Sequence, residues 1–441
     1  MIIGTSEVDI TPRPGVELSG YAARIQPSTG VLDPLFAKVI YLISGSEKLL
    51  WIHCDLIGFD RTIVQRVRKW AHIELALVEN QVMLSATHTH AGACTIHLRE
   101  AGDYDGVYVE FLFQQIKKAV RHALQHTEKC WVVTVEGHLD LAVDRRKKAS
   151  AHTDPRVAAL GFRRENGAFV AAIVNYAMHP VALGPDNRLI STDTCGQAAL
   201  ELARRLPGNP VVLAANGACA NLNPPSKNVT FAQVQAWGGM IAAAVADLLR
   251  AAKASDHCKL KVSSRIMPLP LEVLDANGIN QFADQSLRDA DFVAHWGDKY
   301  RRVVEHWRWT LLNRAKNSDD GYQQAELFGV RISDVILVGA NAELFSEFAD
   351  MLRRDNGGKI YVIGYANGDF GYLSTRAAYA EGGYEVDVAH LFYGGFRPQV
   401  GGLELLATAA DELVASLREA PKSKSKLNQS LPARPTAKSA G

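Results

Sequence analysis

Residues 82–92 read Val-Met-Leu-Ser-Ala-Thr-His-Thr-His-Ala-Gly. An apolar run enters the stretch, and two histidines two positions apart leave it before a small-residue break. Side chains at i and i+2 of an extended segment share a face, so the pattern predicts a strand over 82–86 with His88 and His90 projecting together from its end. Two imidazoles so placed suit a divalent metal, or one metal ligand and one substrate contact. An ordinary pair of surface histidines is the alternative. Sites gather at strand ends in α/β proteins, so the neighbouring stretches decide the matter.

Strand-period runs occupy 37–43, 49–55, 82–86, 130–136, 157–162, 169–176, 210–215, 260–267, 332–339 and 359–363. Helix-period patterns occupy 61–72, 108–125, 195–205, 231–253, 296–316, 344–354 and 402–418. Helices tend to follow strands, which predicts an α/β fold: a single large mixed-sheet domain with covering helices. Little helix separates the runs at 130–136, 157–162 and 169–176, so part of the sheet should be antiparallel. No internal repeat is visible. The segment 275–324 reads as a helical insertion that covers a cleft or, more simply, as a packing helix pair. Trp296, Trp307 and Trp309 line a pocket on the first reading and fill core on the second.

The 441 residues are 47% hydrophobic and 22% charged, which excludes disorder for the bulk of the chain. Basic and acidic residues number 48 and 47, but five of the basic ones lie in 421–441 without an acid, leaving 43 against 47. A mildly acidic body argues against a nucleic-acid-binding domain. The low-complexity segment 421–441 reads as a disordered basic tail, so a domain over 1–420 is expected. No signal-peptide pattern and no run of 18 apolar residues occurs, so the reading is a cytoplasmic protein without a membrane partner. Six cysteines without a CxxC pair suggest neither a disulfide framework nor a thiolate zinc site.

Four further stretches carry chemistry. Val174-Asn175-Tyr176-Ala177-Met178-His179-Pro180 places another histidine just past a strand; alone it would read as a core histidine. Val338-Gly339-Ala340-Asn341-Ala342-Glu343 puts Glu343 at a strand–helix junction, as a metal ligand, a base, or a charge complementing the helix dipole. Gly364–Tyr372 is a Gly- and Asn-rich turn after a strand, and Ala215–Pro225 is small and polar, as a backbone-lined pocket would be. Cys219 in the latter invites a nucleophile reading, which lacks a helix N-terminus or adjacent histidine to lower its pKa.

Taken in order, these pieces resemble the catalytic domain of the neutral/alkaline, non-lysosomal ceramidase family. The opening is similar too: Val8-Asp9-Ile10-Thr11-Pro12, Leu18-Ser19-Gly20-Tyr21-Ala22 and Gly30-Val31-Leu32-Asp33-Pro34-Leu35. The resemblance runs from about residue 3 to about 417. It implies Zn2+ held by His88, His179, Glu343 and Tyr372, with His90 and Arg145 contacting the substrate oxygen. Where the family carries a Ser implicated in attack on the amide, this chain has Asn223, which cannot be a nucleophile. The resemblance does not extend into the family's trailing β-sandwich domain, so ceramide itself is not expected as substrate. Asp193 would position a histidine or the water, or simply cap a helix.

The expected function is zinc-dependent hydrolysis of an amide (C–N) bond in a small polar N-acyl substrate by attack of metal-bound water. An esterase, lactonase or lyase on the same centre, or a non-catalytic binding homologue, is the alternative. An amidohydrolase barrel would need later histidines and a late Asp, where this chain offers a Glu and a Tyr. The substrate and the oligomeric state are not read from sequence.

Overall fold

In the computed structural model, which describes residues 1–255, 258–314 and 321–418, the chain lays down one order of elements three times. In the first unit β1 (Ile2–Asp9), β2 (Phe36–Ser44) and β3 (Glu47–Cys54) pair antiparallel. Helix α1 (Arg61–Leu75) follows, β4 (Val82–Ala86) returns parallel to β3, and α2 (Gly106–Gln125) completes the unit. In the second, β5 (Trp131–His138), β6 (Arg156–Arg163) and β7 (Phe169–Tyr176) pair antiparallel. Then come α3 (Asp193–Arg205), β8 (Val211–Asn216) parallel to β7, and α4 (Phe231–Ala251).

The third unit starts with β9 (Leu260–Pro270). Two extra helices, α5 (Ala276–Arg288) and α6 (Ala290–Arg314), precede β10 (Tyr322–Ile332). After β11 (Val335–Ala340) come α7 (Glu347–Asn356), β12 (Lys359–Ile363) parallel to β11, and α8 (Gly402–Arg418). Each sheet therefore runs antiparallel and ends on one parallel pair.

The three sheets turn one face each into a shared core that includes Trp51, Leu160 and Phe328. The other faces take their own helices: β2 and β3 pack on α1 and α2, β6 and β7 on α3 and α4, and β10 and β11 on α7 and α8. Strands covered on both sides need no polar alternation, and all eight residues of β7 are buried. Helix ends follow local rules. The Asp60 carboxylate accepts the Thr62 N–H at 2.8 Å to start α1, and α6 is broken at Gly297, whose φ of 57° and ψ of −135° only glycine takes readily.

The mixed α/β class is as expected, with the strands divided among three larger sheets. The run at 332–339 is two strands: β10 ends at Ile332, Ser333 turns with φ 57°, and β11 begins at Val335. The helix expected over 344–354 starts only at Glu347, because Glu343–Leu344 pair in parallel with Tyr372–Leu373. The repeat is topological and leaves no trace in residue identity. Trp307 is core, Trp309 is exposed, and Trp296 borders a cavity. All six cysteines are free and buried. Among the described residues no helix is long and apolar enough to cross a membrane. The tail 421–441 lies outside the described residues.

Candidate metal centre

The loops leaving the three parallel strand pairs meet. The loop after β4 brings His88 and His90, the loop after β7 brings His179, and β11 and β12 lead to Glu343 and Tyr372. Strand alternation is not what joins the first two, because His88 adopts a left-handed φ of 65° beyond the strand end. Such a conformation costs on the order of 1–3 kcal/mol in a side-chain-bearing residue. Its ring stacks on Tyr365 at 3.8 Å between centroids and 8° between planes. The His88 ring centroid stands 5.0 Å from that of His90 and 4.8 Å from that of His179.

Tautomers follow from the neighbours. His88 Nδ1 lies 2.6 Å from the Ile57 carbonyl and His179 Nδ1 lies 3.1 Å from the Cys219 carbonyl. A carbonyl can only accept, so each Nδ1 carries the proton and each Nε2 keeps a lone pair. Those two Nε2 atoms stand 3.6 and 3.5 Å from Glu343 Oε2. His179 Nε2, Glu343 Oε2 and both ring nitrogens of His90 are buried without a hydrogen-bond partner. Burial pushes His88 down to about 3 and holds His90 and His179 well below the usual imidazole range, so all three rings are neutral.

The carboxylate has the opposite problem. Burial, then the charge of Asp369, raises the pKa of Glu343. The Tyr393 hydroxyl sits 2.6 Å from Glu343 Oε1 and 3.1 Å from Asp369 Oδ2. Its single proton cannot serve both carboxylates at once. A divalent cation among the imidazoles and Oε2 would supply the charge this corner lacks. Imidazole and carboxylate donors are ones that zinc accepts, and His88, His90 and His179 bring ring nitrogens within 4.8 Å of one another.

Tyr372 is delivered by backbone register, being paired directly with Glu343. Its hydroxyl accepts from Arg145 Nη2 at 3.1 Å, and Arg145 Nε donates to Glu385 Oε1 at 2.8 Å. Asn223 sits in a ribbon opposite Val143, buried, with Oδ1 unpartnered and bordering the cavity. Asp193 does not border the cavity. Its carboxylate accepts from the N–H groups of Ala182, Leu183 and Thr194 at 3.3, 3.1 and 2.7 Å, which fixes the loop that follows His179. Cys219 is enclosed, and burial pushes its thiol up to about 12, the wrong direction for a nucleophile.

A cavity of about 590 Å³ opens over the centre. Besides the expected residues it is bordered by Tyr21, Trp296, Tyr384, Phe392 and Lys227. Tyr21 lies in the opening motif and Trp296 in the helical insertion read as covering a cleft, whereas Lys227, from a loop, and Tyr384 and Phe392, from the short helical segments 384–388 and 389–393, had no signal in the local pattern. Gly20 shares with Tyr21 the signal of the opening motif. A Cβ there would stand 2.4 Å from His90 Nδ1.

Fold and site together define a class, an α/β protein in which His88, His90 and His179 bring ring nitrogens within 4.8 Å of one another, with Glu343 beside them, where three sheets converge. The crystal structure of neutral ceramidase from Pseudomonas aeruginosa has this fold, with a TM-score of 0.71 at 18% identity over 96% of this chain and 76% of that one. A ceramidase complexed with C2 superposes at a TM-score of 0.72 and 18% identity, over 94% and 75% of the two chains. The chain belongs to the neutral/alkaline non-lysosomal ceramidase family, whose N-terminal model matches residues 1–221.

Neutral ceramidase of Pseudomonas aeruginosa is 25% identical over 219 residues, 44% of this chain and 32% of that protein. The Drosophila melanogaster neutral ceramidase is 24% identical over 256 residues, 52% of this chain and 36% of that protein. The matches thus span about a third of these relatives' length.

Proposed function

We propose that this chain is a metal-dependent hydrolase that cleaves the amide bond of an N-acyl substrate, with zinc as its metal. The observation that carries the reading is the convergence of His88 Nε2 and His179 Nε2 on Glu343 Oε2, with two of those atoms buried and unpartnered. His88, His179, Glu343 and Tyr372 would hold the ion. Bound there, zinc polarises a carbonyl and lowers the pKa of water toward about 7.

The chain's own groups do the rest. His90 and the Arg145 guanidinium border the cavity beside the metal ligands, placed to stabilise charge that develops on the amide oxygen. Glu385, bonded to Arg145 at 2.8 Å and to Arg146 at 2.7 Å, orients that guanidinium. Asn223 orients the substrate amide through its free Oδ1. Its carboxamide is no nucleophile, which favours direct attack by water over a covalent route. Tyr21, Trp296 and Phe392 give the acyl portion an apolar wall.

Metal analysis and a substrate panel test the reading together. Purified protein should carry about one zinc per chain, lose it in His179→Ala, and turn over N-acyl amides. Turnover of esters alone would overturn the amidase assignment. Ceramide is the second reading, favoured by the names of the matched relatives. A short-chain ceramide in the same panel decides between it and a smaller polar amide.

A further inference from the structure

The cavity over the metal centre is unevenly charged. Four cations border it, Arg145, Arg146, Lys148 and Lys227, against two carboxylates, Glu343 and Glu385. Glu385 is shared between the two arginines, its oxygens 2.8 Å from Arg145 Nε and 2.7 Å from Arg146 Nη1. Glu343 faces His88 and His179. Neither Lys148 nor Lys227 forms an ion pair among the described residues. Glu381 also stands 3.6 Å from Arg146 Nη2, so the two arginines are matched and what remains is the charge of Lys148 and Lys227 in a concave, partly apolar site, where field lines are focused.

Its placement is built into the fold. Val143–Asp144 and Leu222–Asn223 form an antiparallel two-residue ribbon, with Leu222 opposite Asp144. The chain leaves that ribbon at opposite ends toward Lys148 and Lys227, and both residues border the cavity that also holds Arg145 and Asn223. The aromatic wall of Tyr21, Trp296 and Phe392 belongs to other elements. An apolar portion and an anionic portion of one molecule therefore find different surfaces. Lys227 borders the same cavity as His90 and Arg145.

Resting on the hydrolase reading above, we infer that the substrate carries an anionic group near the scissile amide, which Lys148 and Lys227 receive. Carboxylate, sulfonate and phosphate share the needed chemistry. A neutral diol headgroup would leave both ammonium groups without a partner.

The test uses three amides with a common acyl chain: N-octanoylglycine, N-octanoylethanolamine and N-octanoylethylenediamine, which are anionic, neutral and cationic. The ketomethylene analogues of the first two, with CH2 in place of the amide NH, cannot be hydrolysed and are titrated by calorimetry. The zinc-loaded protein should prefer the glycine conjugate over the ethanolamine conjugate by about tenfold or more in kcat/KM, and its analogue by a similar ratio in Kd. The ethylenediamine conjugate should be the poorest of the three.

In Lys148→Gln/Lys227→Gln both ratios should fall toward unity, chiefly through KM. Taurine and phosphoethanolamine conjugates then separate sulfonate and phosphate from carboxylate. Equal use and equal binding of the anionic and neutral members by the parent protein, or ratios unmoved in the double variant, would overturn the inference. Absence of all cleavage, with the binding preference present in the parent and lost in the double variant, would instead remove the hydrolase reading and leave the anion site standing.

Discussion

His90 is the residue whose freedom matters most, since both of its ring nitrogens are buried without a partner. It is held by shape: Tyr21 packs edge-on at 4.8 Å between centroids, and Gly20, at φ 95°, leaves room that any Cβ would fill. Gly20→Ala should displace the imidazole and also strain the backbone, lowering kcat/KM on the order of 100-fold while the protein still folds. Activity together with a melting curve checks this. Wild-type turnover in Gly20→Ala would show that His90 has no part in the chemistry.

Tyr393 acts one step further out. Its hydroxyl contacts both Glu343 and Asp369, so Tyr393→Phe leaves two buried carboxylates without their shared donor. Outer partners of metal ligands typically account for 10–100-fold in metal affinity, and a loss of about that size is expected. Competition with a zinc chelator measures it, and unchanged affinity would count against Glu343 as a ligand.

At the level of elements, the legible part of the chain was the part with a period. β4, β7, β12 and α8 fall where hydrophobic spacing places them, because each has a continuous buried face. β1 went unread because Gly4, Ser6 and Glu7 dilute its apolar pattern, and β10 because its polar start hides a strand that is apolar only from Ala325 on. For the site, His88, His90, His179 and Glu343 stand out as chemistry-bearing residues just past strand ends. Trp296 was read only as one of three tryptophans that line a pocket or fill core, and Tyr393 and Lys227 do not stand out at all, since their role depends on where the chain returns in three dimensions.

Contacts between units are equally invisible in sequence. Arg68 of α1 reaches Glu326 of β10 through two bonds of 2.6 and 3.0 Å, with both side chains nearly buried. Asn367 donates to the same carboxylate at 2.9 Å while its backbone and side chain bracket Leu84 of β4. Removing one partner of such a pair costs about 3–5 kcal/mol, more than a surface ion pair provides. Arg68→Ala should therefore lower the melting temperature clearly, and Glu326→Gln in the same background should recover part of the loss. Equal melting of Arg68→Ala and wild type would show that this ion pair adds nothing to the apolar packing and the Asn367–Leu84 bonds that join the first and third units.

For the whole molecule, the threefold order of elements gives the candidate metal a structural role besides a chemical one. Its proposed ligands come from all three units: His88 from the first, His179 from the second, Glu343 and Tyr372 from the third. Without a cation, the convergence leaves unpartnered acceptors and a buried carboxylate whose pKa burial has raised, all of them unfavourable in a dry interior. A ligand that binds only the folded state stabilises it by RT ln(1 + [L]/Kd), about 4 kcal/mol at a thousandfold excess over Kd. In a protein of this size that corresponds to a shift of several degrees. Chelator-treated protein should thus melt several degrees below the zinc-loaded form, and added zinc should restore it. In His179→Ala, which removes the second unit's ligand, melting should become indifferent to zinc. A wild-type curve unmoved by chelation, in protein shown by metal analysis to have lost its zinc, would mean that the shared core of the three sheets holds the units in place without help from the centre above it.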